Sequence, residues 1–128
     1  MTTEELIAEA RAAAAFAYAP YSRFRVGAVV VDADGSHYTG ANVENSAYGA
    51  TICAEGSAIA RAVSSGARRL DTVVVSCLDA GDAEGGYPCG NCRQLMVEFG
   101  VRRVIVDTPG GPREHPLAEL LPFGFRFD

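Results

Sequence analysis

The sequence is short of two things: long apolar runs and basic side chains. No run reaches the roughly 18 apolar residues that a membrane-spanning helix needs, and the opening stretch MTTEELIAEA is acidic where a secretory signal is basic. Against 16 acidic residues there are only 11 basic ones, a formal net charge of −5. Because binding a nucleic-acid polymer depends on basic side chains that neutralise phosphates, this balance disfavours such a partner. We therefore expect a cytoplasmic protein that binds a small molecule and makes no membrane contact.

The chain is also short, and cysteine is scarce in it. Its 128 residues, 48% of them hydrophobic, predict a single domain over residues 1–128 with one core. There are four cysteines, at positions 53, 77, 89 and 92. In a reducing compartment such cysteines favour metal binding or catalysis over disulfides.

Helix and strand signals alternate along the chain. Residues 2–20 predict a first helix, because its start, TTEE, has the spacing of a capping box and Pro20 would end it. Asp34 and Gly35 predict a hairpin turn, and residues 26–31 before it are apolar on both sides, which is typical of an interior strand. Further helices are predicted at 53–65 and 89–99, and further strands at 72–78 and 102–107.

This alternation indicates an α/β fold in which helices cover a sheet. The stretch TPGGP separates the strand at 102–107 from an extended piece around Glu114 and His115. That connection is too short for a parallel crossover, so the last two strands should be antiparallel and the sheet mixed.

Three cysteines lie where two predicted helices begin. Cys89 and Cys92 are three residues apart and share one face of a first turn, and Cys53 starts the other helix. Helix N-termini stabilise thiolates, so two such ends could present three thiolates to one zinc ion. Structural zinc sites take four protein ligands, whereas catalytic sites leave one position for water. Since Cys77 lies inside a predicted strand, the count favours an open, catalytic zinc site.

Glu55 follows Cys53 by two residues and could lie over a metal-bound water as general acid and base. Zinc deaminases combine His or Cys, any residue and Glu with a later Pro-Cys-x-x-Cys, and keep that Glu out of the metal shell. This chain has CAE followed by PCGNC. The pattern indicates a zinc-dependent deaminase.

The chain resembles the small homotetrameric cytidine deaminases over nearly its whole length. The resemblance is carried by CAE, PCGNCRQ, YSRFRVGA and GANVENSAYG. It implies a three-layer α-β-α fold with a mixed five-stranded sheet. It also implies one zinc per chain, held by Cys53, Cys89 and Cys92, with Glu55 as proton shuttle. The implied reaction is hydrolytic deamination of free cytidine and deoxycytidine to uridine and deoxyuridine with release of ammonia, a step of pyrimidine salvage.

The same resemblance implies roles in substrate binding. Asn42 and Glu44 match a ribose-binding pair, and Phe24 matches an aromatic that packs on the pyrimidine. The N–H of Ala54 and the carbonyl before Cys89 would read the edge of the base. A C-terminal aromatic of a neighbouring subunit would close the pocket of the homotetramer; spacing from LLP favours Phe125, with Phe123 and Phe127 as competitors.

Two departures from the family pattern stand out. Gly56 follows CAE where many members have an arginine that donates to the zinc thiolates. Without it the helix dipoles carry more of the charge compensation, and Arg93 is one candidate for a substitute donor. The C-terminal tail is also somewhat shorter than is common in the family.

Other interpretations remain open at this point. Cys89 and Cys92 alone could be a thiol redox pair, which would leave Cys53 and Glu55 without a role, and a structural zinc module would lack its fourth ligand. A related aminohydrolase acting on an aminonucleoside antibiotic or a modified cytidine is a further alternative. We expect Cys77 to be a buried apolar filler, and His37 and His115 to be surface histidines.

Overall fold

The computed structural model describes residues 1–82 and 84–127; Ala83 and Asp128, which belong to the predicted domain, lie outside the described residues. Five strands form one sheet in the order β2-β1-β3-β4-β5. The strands are β1 Val26–Asp32, β2 His37–Ala41, β3 Leu70–Cys77, β4 Arg103–Thr108 and β5 Gly111–Pro116. The helices are α1 Thr3–Ala14, α2 Ala54–Ser64, α3 Gly90–Glu98 and the single turn α4 Leu117–Leu120.

The sheet is mixed, as predicted. Strand β1 pairs antiparallel with both β2 and β3, so it is an interior strand. Strands β3 and β4 are parallel and are connected through α3, which provides the crossover that parallel pairing requires. The short connection after β4 gives an antiparallel pair with β5. The expectation for the last two strands is therefore confirmed.

Helices cover both faces of the sheet, which confirms the three-layer α-β-α arrangement. On one face α1 packs through Leu6, Ile7 and Ala10 against Val29, Val74 and Ile105. On the other face α2, α3 and α4 pack against the alternate residues of the same strands, including Val30, Val73 and Val104. Over residues 1–82 and 84–127 no helix is long and apolar enough to cross a membrane.

Helix α1 is shorter than the sequence predicts. It ends at Ala14 rather than at Pro20, although alanine favours continuation. The reason is a long-range pairing: the Tyr18 N–H donates to the Asn42 carbonyl at 3.0 Å, and the Glu44 N–H donates to the Tyr18 carbonyl at 2.8 Å. This bridge to the segment after β2 requires extended backbone at Tyr18, so tertiary contact overrides local propensity.

Helix α2 lies unusually close to the sheet at a glycine. A Cβ atom placed on Gly40 of β2 would lie 2.4 Å from the backbone nitrogen of Ala58 in α2. No real side chain tolerates that distance, so glycine is required for this contact. The close approach fixes the height of α2 above the sheet, and with it the position of the residues at the start of α2.

Candidate active site

The thiols of Cys53, Cys89 and Cys92 converge at the beginning of α2 and α3. Their sulfur atoms all lie within 4.8 Å of one another, and the Cys53 and Cys89 sulfurs are 3.8 Å apart. Cys53 and Cys89 are the N-cap residues of their helices, with extended backbone, and Cys92 lies in the first turn of α3. The sequence prediction of a three-cysteine cluster agrees with this geometry.

The three thiols differ in burial and in proton affinity. Cys92 is fully buried, Cys53 is half-buried and Cys89 is exposed. A hydrogen bond between Cys92 and Cys53 lowers the pKa of Cys53 to about 6. The same hydrogen bond, together with burial, raises the pKa of Cys92. Cys53 is therefore the first of the pair to ionise and the first anionic sulfur available to a cation.

Glu55 is a buried carboxyl group beside this cluster. It is 4% exposed and lies in the first turn of α2. Burial, with a smaller contribution from the charge of Cys53, raises the pKa of Glu55 to about 7. A carboxyl group with this pKa can both accept and donate a proton near neutral pH, which suits a general acid and base.

A cavity of about 180 Å³ opens onto these groups. Its lining residues are Val26, Asn42, Thr51, Cys53, Ala54, Glu55, Val75, Gly85, Gly86, Tyr87 and Cys89. Beside it lies a second cavity of about 310 Å³, lined by Tyr21, Ser22, Glu44, Asn45, Tyr48 and Thr51. Thr51 lines both cavities, so the two form neighbouring compartments around the start of α2.

The side chain of Asn42 is buried and bridges two backbone groups. Its Oδ1 accepts from the Val26 N–H at 2.9 Å, and its Nδ2 donates to the Phe24 carbonyl at 2.8 Å. Each end of the amide has one hydrogen-bonding position left. Asn42 therefore fixes the segment before β1 and can still bond a ligand in the first cavity.

Glu44 hydrogen-bonds the residues just before Phe24 in the same segment. Its carboxylate accepts from the N–H groups of Tyr21 and Ser22 at 2.9 and 3.1 Å, and from the Ser22 hydroxyl. These bonds lower the pKa of Glu44, the Ser22 hydroxyl contributing most. The residues predicted to bind ribose are thus also the residues that fix the loop carrying Phe24.

Of the other residues predicted to bind substrate, Ala54 lines a cavity, whereas Phe24 and Phe125 do not. Ala54 lines the first cavity, and as the first residue of α2 its N–H has no acceptor within the helix. Phe24 is 44% exposed, and its side chain is outside the lining of both cavities. Phe125 is 64% exposed and packs against Phe127, with ring centroids 5.3 Å apart. The described part of one chain does not bring Phe24 or Phe125 into the cavity.

Arg93 does not replace the missing arginine at the thiols. Its Nε donates to the Pro88 carbonyl at 2.8 Å and its Nη1 to the Leu120 carbonyl at 2.7 Å. A Cβ on Gly56 would meet only Leu95 at 3.5 Å and Ile52 at 4.0 Å, so this position has room for a side chain. Helix N-termini remain the source of positive potential at the cluster.

Three minor expectations have different outcomes. Cys77, the last residue of β3, stands apart from the thiol cluster as predicted, but it is half-buried rather than a core residue. His37 is exposed, as expected, and bonds Glu9. His115 is only 20% exposed and hydrogen-bonds the Tyr87 hydroxyl, so its assignment as a plain surface histidine is wrong.

Sequence reasoning missed Ser22, Thr51 and Tyr87 as residues of the site. Ser22 lies within YSRFRVGA and Tyr87 comes two residues before Cys89, so both lie in or beside the motifs. Thr51 carries no comparable signal. Its place in both cavities follows from the path of the chain between β2 and α2.

The donor set fits zinc. In a tetrahedral site with Zn–S bonds of about 2.3 Å, neighbouring sulfurs are about 3.8 Å apart. The Cys53 and Cys89 sulfurs have this separation. Three thiols without a fourth protein ligand among the described residues leave one position for water, as in catalytic zinc sites.

Comparison with known proteins agrees with this site. Residues 1–108 match the family described as cytidine and deoxycytidylate deaminase zinc-binding region. A cytidine deaminase of Mycobacterium tuberculosis is 45% identical over 116 residues, 91% of this chain and 84% of that protein. A cytidine deaminase of Sporosarcina psychrophila is 43% identical over 129 residues, 98% of this chain and 92% of that protein.

Solved structures show the same likeness. The crystal structure of cytidine deaminase from Burkholderia pseudomallei superposes with a TM-score of 0.87 at 40% identity, covering 98% of this chain and 100% of that chain. The M. tuberculosis structure gives a TM-score of 0.80 at 40% identity, covering 98% of both chains. The chain therefore belongs to the cytidine deaminase family, the zinc-dependent enzymes that deaminate by hydrolysis.

Proposed function

We propose that this chain deaminates free cytidine and deoxycytidine at C4, using Glu55 as the proton carrier and Cys53, Cys89 and Cys92 as zinc ligands. The observation that carries the proposal is the buried Glu55 carboxyl group facing the same cavity as the convergent thiols. The Glu55 carboxyl group is only 4% exposed and lies beside ionisable sulfurs. Burying it there lowers the stability of the fold. That cost is typical of groups retained for chemistry.

Cys53, Cys89 and Cys92 would hold zinc as thiolates with one position left for water, and the bound zinc would lower the pKa of that water and so supply a nucleophile for C4. The carboxylate of Glu55 would accept a proton from this water and deliver it to N3 of the pyrimidine. Glu55 would then take the proton of the newly added C4 hydroxyl group and pass it to the C4 amino group, so that the C4–N bond breaks, C4=O forms, and ammonia leaves as uridine or deoxyuridine is released. The pKa of about 7 at Glu55 supports both directions of proton transfer.

Residues around the cavity would orient the nucleoside. The Ala54 N–H and the Pro88 carbonyl, which keeps a free lone pair beside its bond from Arg93, would bond the edge of the base. Asn42 and Glu44 would bind sugar hydroxyls, each using hydrogen-bonding capacity that the loop does not consume. The neighbouring cavities, which share Thr51, support a base in the first and a sugar toward the second.

The proposal includes a homotetramer whose active sites are shared between subunits. Large aromatic side chains stand exposed on the single chain: Phe16 at 87%, Tyr48 at 79%, Phe123 at 104% and Phe127 at 99%. Exposed aromatic surface of this kind supports association. In such an assembly Phe24 would pack on the pyrimidine and Phe125 would come from a neighbouring subunit to close the pocket.

We place the enzyme in the cytoplasm, as one catalytic domain over residues 1–128, acting in pyrimidine salvage. Its four free cysteines, three of them needed as thiolates, support a reducing compartment. Residues from α1 through β4 lie in the zinc-binding region, and β5 extends the same sheet. That continuity supports a single domain.

The test is the ultraviolet absorbance of cytidine followed over time with protein of known zinc content. Deoxycytidine, free cytosine and blasticidin S are run in parallel. Loss of the cytidine and deoxycytidine signals with one zinc per chain is the expected result. Turnover of blasticidin S alone would move the assignment to an aminohydrolase of another substrate class.

The matched control is Glu55→Gln, which keeps the size of the side chain and removes its proton chemistry. We expect it to bind one zinc per chain and to lose turnover by several orders of magnitude. Full activity in this variant would refute the role of Glu55 while leaving the zinc site standing.

A further inference from the structure

A chain of hydrogen bonds links Tyr87, beside the thiol cluster, to the C-terminal part of the fold. The Tyr87 hydroxyl lies 2.6 Å from His115 Nε2, and His115 Nδ1 lies 2.9 Å from a Glu119 carboxylate oxygen. A carboxylate oxygen only accepts, so Nδ1 carries the hydrogen. In the neutral imidazole Nε2 then accepts, and Tyr87 is the donor. Both ends of the Tyr87–His115 bond are thereby assigned.

The residue after Tyr87 is held by the same part of the fold. Arg93 donates to the Pro88 carbonyl at 2.8 Å and to the Leu120 carbonyl at 2.7 Å, so it connects the two. Tyr87 is therefore tied to β5 and α4 through its side chain, and Pro88 is tied to α4 through its carbonyl. We call His115, Glu119 and the Leu120 carbonyl the C-terminal brace.

Cys89 is anchored on one side by α3, where its carbonyl accepts from the Arg93 N–H at 3.0 Å, and is connected on the other side to Tyr87 and Pro88. It is exposed, and as N-cap of α3 its side chain makes no capping hydrogen bond. Among the described residues between β3 and Tyr87, a 3₁₀ turn lies at Glu84–Gly86. Irregular backbone on this side of Cys89 has few hydrogen bonds of its own, so side-chain contacts such as that of Tyr87 contribute to its position.

We propose that Tyr87 and His115 are positioning residues: through the C-terminal brace they set where the Cys89 thiol and the Pro88 carbonyl lie. The bond from His115 to Glu119 fixes the orientation of the imidazole that accepts from the Tyr87 hydroxyl group. Because Tyr87 is held by this bond, the positions of Pro88 and Cys89, which follow it, are restricted as well. Supporting residues of this type affect metal affinity without touching the metal. The inference rests on the proposed function only for the role of the Pro88 carbonyl toward the base.

The test compares Tyr87→Phe, His115→Ala and the double variant with the parent. The zinc dissociation constant is measured by competition with a chromogenic chelator, and the cobalt-substituted proteins give a thiolate absorption spectrum. We expect each single variant to bind zinc about tenfold more weakly, the scale typical of outer-sphere partners. The cobalt bands should shift in both. The double variant should be no weaker than the worse single one, because both changes break one chain.

Kinetics separate positioning from simple loss of stability. With zinc saturated, Tyr87→Phe should lower kcat for cytidine several-fold and change KM less, since the thiolate geometry acts on the chemical step. His115→Gln offers an acceptor near the position of Nε2 and should recover most of the zinc affinity lost in His115→Ala. Thermal unfolding of each variant is measured alongside.

His37→Ala is the matched control. His37 Nδ1 lies 2.8 Å from a Glu9 oxygen, so this pair has the same chemistry as His115 with Glu119 but joins β2 to α1. We expect the control to keep the zinc affinity and cobalt spectrum of the parent. Parent-like zinc affinity and spectrum in Tyr87→Phe, which removes a single oxygen atom, would overturn the proposal. Additive losses in the double variant would overturn it as well.

The two proposals fail in different ways. If the parent protein does not deaminate cytidine but the zinc affinities follow the expected order, the proposed substrate is wrong and the inference about the C-terminal brace stands. An active parent with unaffected variants would sink the brace alone.

Discussion

Ser22 donates to Glu44 twice, through its N–H at 3.1 Å and through its hydroxyl group. The same hydroxyl oxygen accepts from the Phe24 N–H at 3.0 Å. Ser22 thereby connects the carboxylate proposed for ribose binding with the aromatic proposed for base packing. Because the loop and the proposed sugar contact share one carboxyl group, their positions are coupled.

This coupling predicts a binding defect in Ser22→Ala. Losing a hydrogen bond to a charged group costs about 1.5–3 kcal/mol, so we expect KM for cytidine to rise roughly tenfold or more while kcat changes little. Steady-state kinetics check this, with the exposed Ser64→Ala at the end of α2 as the control. A fall in kcat at constant KM would contradict the coupling.

Gly40→Ala should destabilise the fold and disturb the site together. The added Cβ would meet backbone of α2 at 2.4 Å, which cannot move without lifting the helix that carries Cys53 and Glu55. We expect an unfolding free energy lower by about 1–3 kcal/mol or more, with weaker zinc binding. Urea unfolding and metal analysis measure both. Gly110→Ala, whose Cβ would lie 3.9 Å from the nearest atom, is the control and should match the parent.

Glu55 should make the metal-free protein less stable as pH rises. Its pKa is about 7 in the fold against 4.5 in the unfolded chain, so the folded state binds the extra proton. The contribution of Glu55 is favourable below pH 4.5 and is lost as pH rises through about 7. The loss amounts to about 3 kcal/mol. Urea unfolding of zinc-stripped, reduced protein across this range measures it.

Glu55→Gln separates the contribution of Glu55 to stability from the contributions of other groups that titrate in the same pH range. The variant should lack the decline that the parent shows, since its side chain carries no charge at any of these pH values. Identical pH profiles in the two proteins would contradict the raised pKa.

Gly56→Arg should raise activity. The position has room, with Leu95 at 3.5 Å as the nearest contact, and a guanidinium group there would offset thiolate charge and make bound zinc a stronger Lewis acid. Gly56→Ala separates backbone from charge: it should gain roughly 0.5–1 kcal/mol of stability from helix propensity with unchanged kcat. If kcat is equal in the two variants, charge at the thiols does not limit this enzyme.

Mixed oligomers test the shared pocket. Glu55→Gln and Phe125→Ala should each be nearly inactive alone. After dissociation and reassembly together, sites with an intact Glu55 can receive Phe125 from a neighbour, so activity should return. Phe127→Ala in place of Phe125→Ala distinguishes the competing aromatic. Activity that stays at the level of the separate variants would rule out a pocket closed by another subunit.

Local sequence signals predict the parts of the thiol cluster: the two helix starts and the spacing of three residues between Cys89 and Cys92. The meeting of Cys53 with Cys89, 36 residues away, was predicted from the combination of CAE and PCGNC that zinc deaminases share. The mixed sheet was predictable for a similar reason. A two-residue β4–β5 connection excludes a parallel pair whatever the rest of the fold does.

Long-range contacts account for what the sequence did not predict. The end of α1 depends on Tyr18 pairing with residues after β2, and the burial of His115 depends on Tyr87, 28 residues away. Arg93 likewise donates hydrogen bonds to two carbonyls only because α4 lies beside α3. No pattern within one segment predicts these contacts, because each forms only when distant segments pack on the same sheet.

The 3.8 Å between the Cys53 and Cys89 sulfurs also bears on how the protein should be handled. Once the metal is removed, Cys53 has a pKa of about 6 and is a nucleophilic thiolate at neutral pH, next to an exposed partner sulfur. Peroxide or dissolved oxygen can then join the two as a disulfide and block reloading. Bound zinc would therefore protect these thiols, and we expect a chelator-stripped preparation to recover activity on reloading only when a reductant is present.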